Sequence, residues 1–128
     1  MKKLLALFLG LTMTMALASG LEKINPLEAE KMQKEKKAII VDVREPNEIK
    51  EGMAKEAISV PLSTMKDKKK DWEKIVNTFP KDKTVIVYCG IGVRAEKVGL
   101  ELAKKGYKVL NMGGFESWEK AGLPLVKK

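Results

Sequence analysis

Apolar positions along this chain fall into two kinds of run. Ala38-Ile39-Ile40-Val41-Asp42-Val43 and Thr84-Val85-Ile86-Val87-Tyr88 are short, β-branched and nearly unbroken by polar residues. Strands buried on both faces read this way, and they belong to parallel sheets covered by helices. Ala57-Ile58-Ser59-Val60 and Tyr107-Lys108-Val109-Leu110 predict two further strands, and Leu21 to Ile24 a short edge strand. Between them the pattern turns helical. Asn25 is a good N-cap and Pro26 suits a first helical position, so a helix is expected over Leu27 to Lys36. Leu62 to Phe79 should hold helical stretches capped at Ser63 or Thr64 and stopped by Pro80. A helix from Gly92 to Lys105 carries Val93, Val98, Leu100, Leu102 and Ala103 as its apolar positions, and Gly106 closes it. Glu116 to Lys120 makes a last short helix. Alternating strands and helices predict an α/β sandwich of three layers, with a mainly parallel sheet of about five strands.

The first 18 residues follow different rules. Met1-Lys2-Lys3 precedes an apolar run from Leu4 to Ala18, and Ala16-Leu17-Ala18 reads as a cleavage site. A basic start, a short apolar core and small residues at the end make a secretory signal peptide. Fifteen residues fall short of the roughly 20 that a spanning helix needs. The expectation is an exported, periplasmic-type protein, with residues 1–18 removed and residues 19–128 forming one domain without stable membrane insertion.

Composition narrows the chemistry. The formal net charge of +8 becomes +6 without Lys2 and Lys3, and the lysines interleave with acids, as in Lys66-Asp67-Lys68-Lys69-Lys70-Asp71. Aromatics do not interleave with the basic runs, so no nucleic-acid partner is expected. The positive field favours small anions. There is no histidine, which excludes Cys-His catalysis, serine triads and histidine metal sites within this chain. The methionines outside the leader, Met32, Met53, Met65 and Met112, form no sequence cluster. No metal or cofactor is expected.

One cysteine remains, at Cys89, where a buried strand meets the loop Gly90-Ile91-Gly92-Val93-Arg94. A single thiol in an exported domain is either reactive or an intermolecular linker. Ligands in parallel α/β sheets bind beyond the carboxyl ends of strands. A loop leading into a helix turns its N–H groups inward, and the helix dipole adds positive potential. A thiolate at Cys89 would be stabilised there without a histidine base, and Arg94 at the rim would offer a cation to an anionic substrate. The plainer alternative makes Cys89 a buried filler and Arg94 a surface charge.

Four segments weigh against that alternative. Val41-Asp42-Val43-Arg44-Glu45-Pro46-Asn47-Glu48 resembles the D-V-R-E-P-x-E signature of the rhodanese family. Gly52 to Leu62 resembles its G-H-I-x-G-A-x-x-x-P-L segment, Tyr88 to Ala95 its active-site loop, and Gly113-Gly114-Phe115-Glu116-Ser117-Trp118 with Ala121-Gly122-Leu123-Pro124 its C-terminal signature. Met53 stands where the family has histidine, Glu56 where it has glycine, and Ile49 where it has an aromatic residue.

The resemblance implies a rhodanese-like fold and a thiosulfate sulfurtransferase. Cys89 would take sulfane sulfur from a small anionic donor and pass it as a persulfide to a thiol or a protein acceptor. The N–H groups of Gly90, Ile91, Gly92, Val93 and Arg94 would cradle the substrate. Cys89 to Arg94 counts six residues, the family's loop length, and phosphatase relatives carry one more. The rival readings are a persulfide carrier loaded by partner proteins, phosphatase or arsenate-reductase-like chemistry, and an inactive interaction domain. Asp42 and Arg44 would support the loop, or form a purely structural ion pair, with Glu48 a candidate partner for Arg44. A monomer is expected, and an exposed Cys89 would allow an oxidised dimer as a side reaction.

Overall fold

The computed structural model describes residues 20–127. The expected leader, residues 1–18, lies outside them. Strands β1 (Glu22–Lys23), β2 (Ala38–Asp42), β4 (Ile58–Ser59), β5 (Thr84–Cys89) and β6 (Val109–Gly114) form one sheet in the order β1-β6-β5-β2-β4. Every pairing in it is parallel. A separate antiparallel ribbon joins β3 (Met53–Ala54) to β7 (Leu125–Val126).

Strand β5 is the centre of the sheet, and all six of its residues are buried. Period-two alternation divides them between the two faces. Val85, Val87 and Cys89 point to one side, with Val41, Val43, Trp72, Val98 and Leu102. Ile86 and Tyr88 point to the other, with Ala29, Leu110, Met112 and Trp118. Helices α3 (Leu62–Asp67), α4 (Lys69–Val76) and α5 (Val93–Lys104) cover the first face. Helices α1 (Pro26–Lys34) and α6 (Phe115–Lys120) cover the second. The three-layer α/β sandwich and its five-stranded sheet agree with the sequence reading.

The start of α1 is also as expected, with the Asn25 side chain accepting from the Glu28 N–H at 2.9 Å. Trp72, set among lysines, is fully buried and anchors α4 to the core, with the Lys69 ammonium 4.5 Å from its ring centroid.

Four local expectations need correction. Neither Ser63 nor Thr64 caps the helices after Val60. Helix α3 starts at Leu62 behind Pro61, and Ser63 donates its N–H and hydroxyl to the Glu45 carboxylate, at 3.1 and 2.5 Å. A carboxylate from a neighbouring loop does the capping, which no local pattern encodes. Strand β6 begins at Val109 rather than Tyr107. The Tyr107 hydroxyl is drawn out to the carbonyls of Val76 and Phe79, at 2.9 and 3.0 Å. The strand also runs on through Gly113 and Gly114, although a pair of glycines predicts a tight turn, because backbone pairing to β5 outweighs local propensity. Val93 and Leu100, expected among the apolar positions of α5, are exposed.

The short helix α2 (Pro46–Ile49) and the β3–β7 ribbon were not legible in the apolar pattern. Beside the ribbon, Glu56 occupies the family's glycine position and takes a left-handed backbone, φ 65. The glycine conformation is kept without the glycine, at a cost of about 1–2 kcal/mol.

Trp118 holds the ribbon to the sandwich. It is fully buried, and its Nε1 donates to the Pro124 carbonyl at 2.9 Å. Trp118→Ala should cost about 3–5 kcal/mol in urea unfolding. A loss below about 1 kcal/mol would show that α6 and the ribbon do not depend on this side chain.

Candidate active site

Cys89 is the last residue of β5, and no part of it reaches solvent. Its Sγ accepts two backbone N–H bonds, from Gly92 at 3.0 Å and from Ala95 at 3.4 Å. Both donors lie at the start of α5, so the sulfur sits on that helix's positive end. The N–H groups of Gly90, Ile91, Val93 and Arg94 are not among its donors. Ala95, outside the loop named from sequence, is. Burial also corrects the picture of an exposed thiol open to disulfide exchange.

The loop turns because Gly92 takes φ 103 as the residue before α5. That region favours glycine. With the amides directed inward, the side chains of Ile91 and Val93 face out, 85% and 64% exposed.

Strand β6 supports the loop from beside it. A bulge shifts the β5–β6 register between Val87 and Tyr88, which sets Gly114 opposite Cys89. A Cβ on Gly114 would collide with the Gly90 carbonyl. Asn111, a buried polar residue on β6, donates to the Gly92 carbonyl and to Glu96, both at 3.1 Å, and accepts from Gly113 at 2.9 Å. Glu96 also accepts the Leu21 N–H at 3.0 Å, which ties the chain before β1 to the first turn of α5. Asn111 and Glu96 were missed in the sequence. The available signal was a polar residue inside an apolar strand, which has to find partners when buried.

Arg94 is not a free cation at the rim. Its Nη1 and Nη2 meet Glu48 Oε1 and Oε2 at 2.5 and 2.9 Å, a two-bond fork. The side chains of the pair are about one-third exposed. Glu48 is held in place from behind by the Glu45 N–H at 3.0 Å. The Arg94 hydrogen bond holds the Glu48 carboxyl down to about 2, against an ordinary 4.5. The same bond pushes Arg94 up.

The partner of Arg44 is therefore Asp42, not Glu48. The Arg44 guanidinium reaches Asp42 Oδ2 at 2.8 Å, and both side chains are buried. Arg44 also donates to the Gly52 carbonyl at 2.9 Å and lies 4.2 Å from the Phe115 ring centroid. Phe115 in turn stacks on Tyr88, whose hydroxyl accepts the Ala54 N–H at 3.0 Å. Burial, followed by the Asp42 charge, raises the Tyr88 phenol. Asp42 and Arg44 thus tie the ends of two central strands to the loop before β3. Glu48, expected as a partner for Arg44, is the one that reaches the Cys89 loop.

Three open grooves touch the loop, the smallest, of about 410 Å³, against Gly90, Ile91, Gly113 and Gly114, and two larger ones. One, of about 690 Å³, is mostly apolar, with Leu21, Ile91, Val93, Leu100 and Met112 among its lining. The other, of about 620 Å³, is bordered by Arg44, Glu48, Gly90, Phe115, Glu119 and Lys120. Cys89 lines none of them.

The model of the rhodanese-like domain matches residues 25–121. A sulfurtransferase of Allochromatium vinosum is 34% identical over 90 residues, covering 69% of this chain and 78% of that protein. A thiosulfate sulfurtransferase of Coxiella burnetii is 27% identical over 77% of this chain and 87% of its own length. The crystal structure of a rhodanese-related protein from Thermoplasma volcanium superposes with a TM-score of 0.68 at 28% identity, covering 84% of this chain and 99% of that one.

Two outcomes follow from the ion pairs. Arg44→Ala strands a buried Asp42 carboxylate, so it should cost about 3–5 kcal/mol and lower the melting temperature sharply. An unchanged melting temperature would contradict a structural role for the pair. For Glu48, the folded carboxyl lies below its unfolded value. Its stabilisation is present above about pH 4.5 and is lost as pH falls through about 2. Glu48→Gln should therefore melt lower than the parent at pH 6. That gap should narrow as pH falls below 4.5 and close near pH 2. A gap independent of pH would mean that the charge pair is not its source.

Proposed function

The chain belongs to the rhodanese family, and from that premise we propose that it is a sulfurtransferase working through a persulfide on Cys89. The observation that carries the reading is the pair of N–H bonds to Sγ at the start of α5, in a six-residue loop. Those donors are placed to bear on the sulfur in a chain that has no histidine to act as a base.

In the first half-reaction the Cys89 thiolate attacks the outer sulfur of thiosulfate. A sulfur–sulfur bond forms to Cys89. The sulfur–sulfur bond within thiosulfate breaks, and its electron pair leaves with sulfite. In the second half-reaction a thiophile takes the outer sulfur of the persulfide and the Cys89 thiolate returns. Cyanide would leave as thiocyanate, and a thiol would leave as a persulfide. The remaining loop amides, from Gly90, Ile91, Val93 and Arg94, are the donors for the added sulfur and the departing anion. No cofactor enters either step.

The thiosulfate sulfurtransferase of Coxiella burnetii, 27% identical, supports thiosulfate as a donor. The six-residue count from Cys89 to Arg94 favours sulfur over phosphate chemistry. We further propose an exported protein, on the strength of the Met1–Ala18 pattern. Among the described residues no helix is long and apolar enough to cross a membrane.

The test is the intact mass of the purified protein after thiosulfate, with and without cyanide, beside Cys89→Ser. The expected result is a gain of one sulfur atom that cyanide removes and that the serine variant lacks. No gain, on a thiol that still alkylates, would exclude thiosulfate as donor and leave a carrier loaded by a partner protein as the better account.

A further inference from the structure

The chain is strongly basic, yet the groove on the Phe115 side of the Cys89 loop is not. Each cation on that side is matched by a carboxylate, whereas Lys23 and Lys97 line the apolar groove on the other side. Arg44 pairs with Asp42, Arg94 with Glu48, and Lys120 with Glu116 at 2.8 Å. Glu119 borders the same groove and belongs to none of these ion pairs. On this side three cations therefore face four carboxylates, and a dianion arriving there meets no net positive charge from side chains.

Within this set Arg94 is the cation that belongs to the loop itself. Its guanidinium lies against Gly90, where an added Cβ would stand 3.2 Å from Nη2. Glu48 takes up both of its outer nitrogens. A donor that needs Arg94 has to compete with a carboxylate already seated in the preferred two-bond geometry. A donor that needs only the loop amides does not.

Building on the sulfur-transfer reading, we propose that Glu48 is a specificity-determining residue. By holding Arg94 it turns the site away from dianionic thiosulfate and toward singly charged organic donors of sulfane sulfur, of the thiosulfonate and thiol-persulfide class. The chemistry balances for either donor. With a thiosulfonate, the Cys89 thiolate bonds to the outer sulfur, the donor's sulfur–sulfur bond breaks, and a sulfinate leaves with the electron pair. The summed charge is conserved. The leaving group carries one negative charge fewer than sulfite does, so it asks less of Arg94.

The experiment compares steady-state transfer from thiosulfate and from methanethiosulfonate to cyanide, in the parent chain and in Glu48→Gln. Glutamine keeps an oxygen for the Glu45 N–H, while its amide nitrogen replaces the acceptor that met Arg94 Nη2, so the charge and one bond of the fork are both lost. Freeing Arg94 should raise kcat/KM for thiosulfate about three- to tenfold relative to that for methanethiosulfonate, mostly through KM, since one donor carries one more charge than the other. Equal changes for both donors, or a parallel fall in kcat with the ratio fixed, would overturn the proposal and leave Glu48 a purely structural support. Glu48→Ala provides the same comparison should the glutamine variant not fold. If neither donor loads Cys89 in the parent chain, the sulfur-transfer reading itself fails. Loading that ignores the charge at position 48 sinks only the role of Glu48.

Discussion

A sulfur atom at the end of a fully buried strand sets the terms for everything around it. Cys89 shares the face of β5 with Val85 and Val87, so alternation alone carries its side chain into the helical layer. A thiol there could remain an inert filler. It becomes chemically interesting because the chain turns at once into α5 and places the Gly92 and Ala95 amides on Sγ. The turn leaves little room. Gly114 passes so close to the Gly90 carbonyl that no side chain fits between strand and loop, and Asn111 fixes the Gly92 carbonyl from below. The loop is preorganised by its neighbours on β6 as much as by its own glycines.

The segment from Asp42 to Glu48 distributes its charges over three separate tasks. Asp42 and Arg44 neutralise each other in the interior and reach the Gly52 carbonyl. Glu45 turns away to serve Ser63 at the start of α3. Glu48 crosses to Arg94. Four charged side chains within seven residues thus bind three different parts of the fold. A buried pair such as Asp42–Arg44 contributes little net stability against apolar replacements, while loss of either partner is costly. Its effect is to fix geometry between β2, β5 and the loop before β3.

Global and local electrostatics part company in this molecule. A formal net charge of +8 draws anions toward the surface at long range. On the Phe115 side of the loop, ion pairing offsets that attraction, and in the proposed sulfur transfer discrimination would pass to backbone amides and to the competition between a donor and Glu48. Charge brings an anion near, and pairing geometry decides whether it stays.

Much of this was written in the primary sequence. Unbroken β-branched runs at Ala38–Val43 and Thr84–Tyr88 determine buried parallel strands, because no other short element can bury so many branched side chains on both faces. The lone Cys89 before a two-glycine loop, with no histidine anywhere, marks the candidate reactive atom and excludes a histidine base within the chain. Four motifs in order determine the family. What the tertiary structure alone decided are the long-range partners. Arg94 meets Glu48 across 46 positions, Asn111 meets Gly92 across 19, and Ser63 meets Glu45 across 18. Periodicity records which face a residue occupies and local chemistry records where a chain turns. Neither records which distant charge will be opposite once the sheet is assembled, and that is why Arg94 read as a free cation and Arg44 as a partner for Glu48.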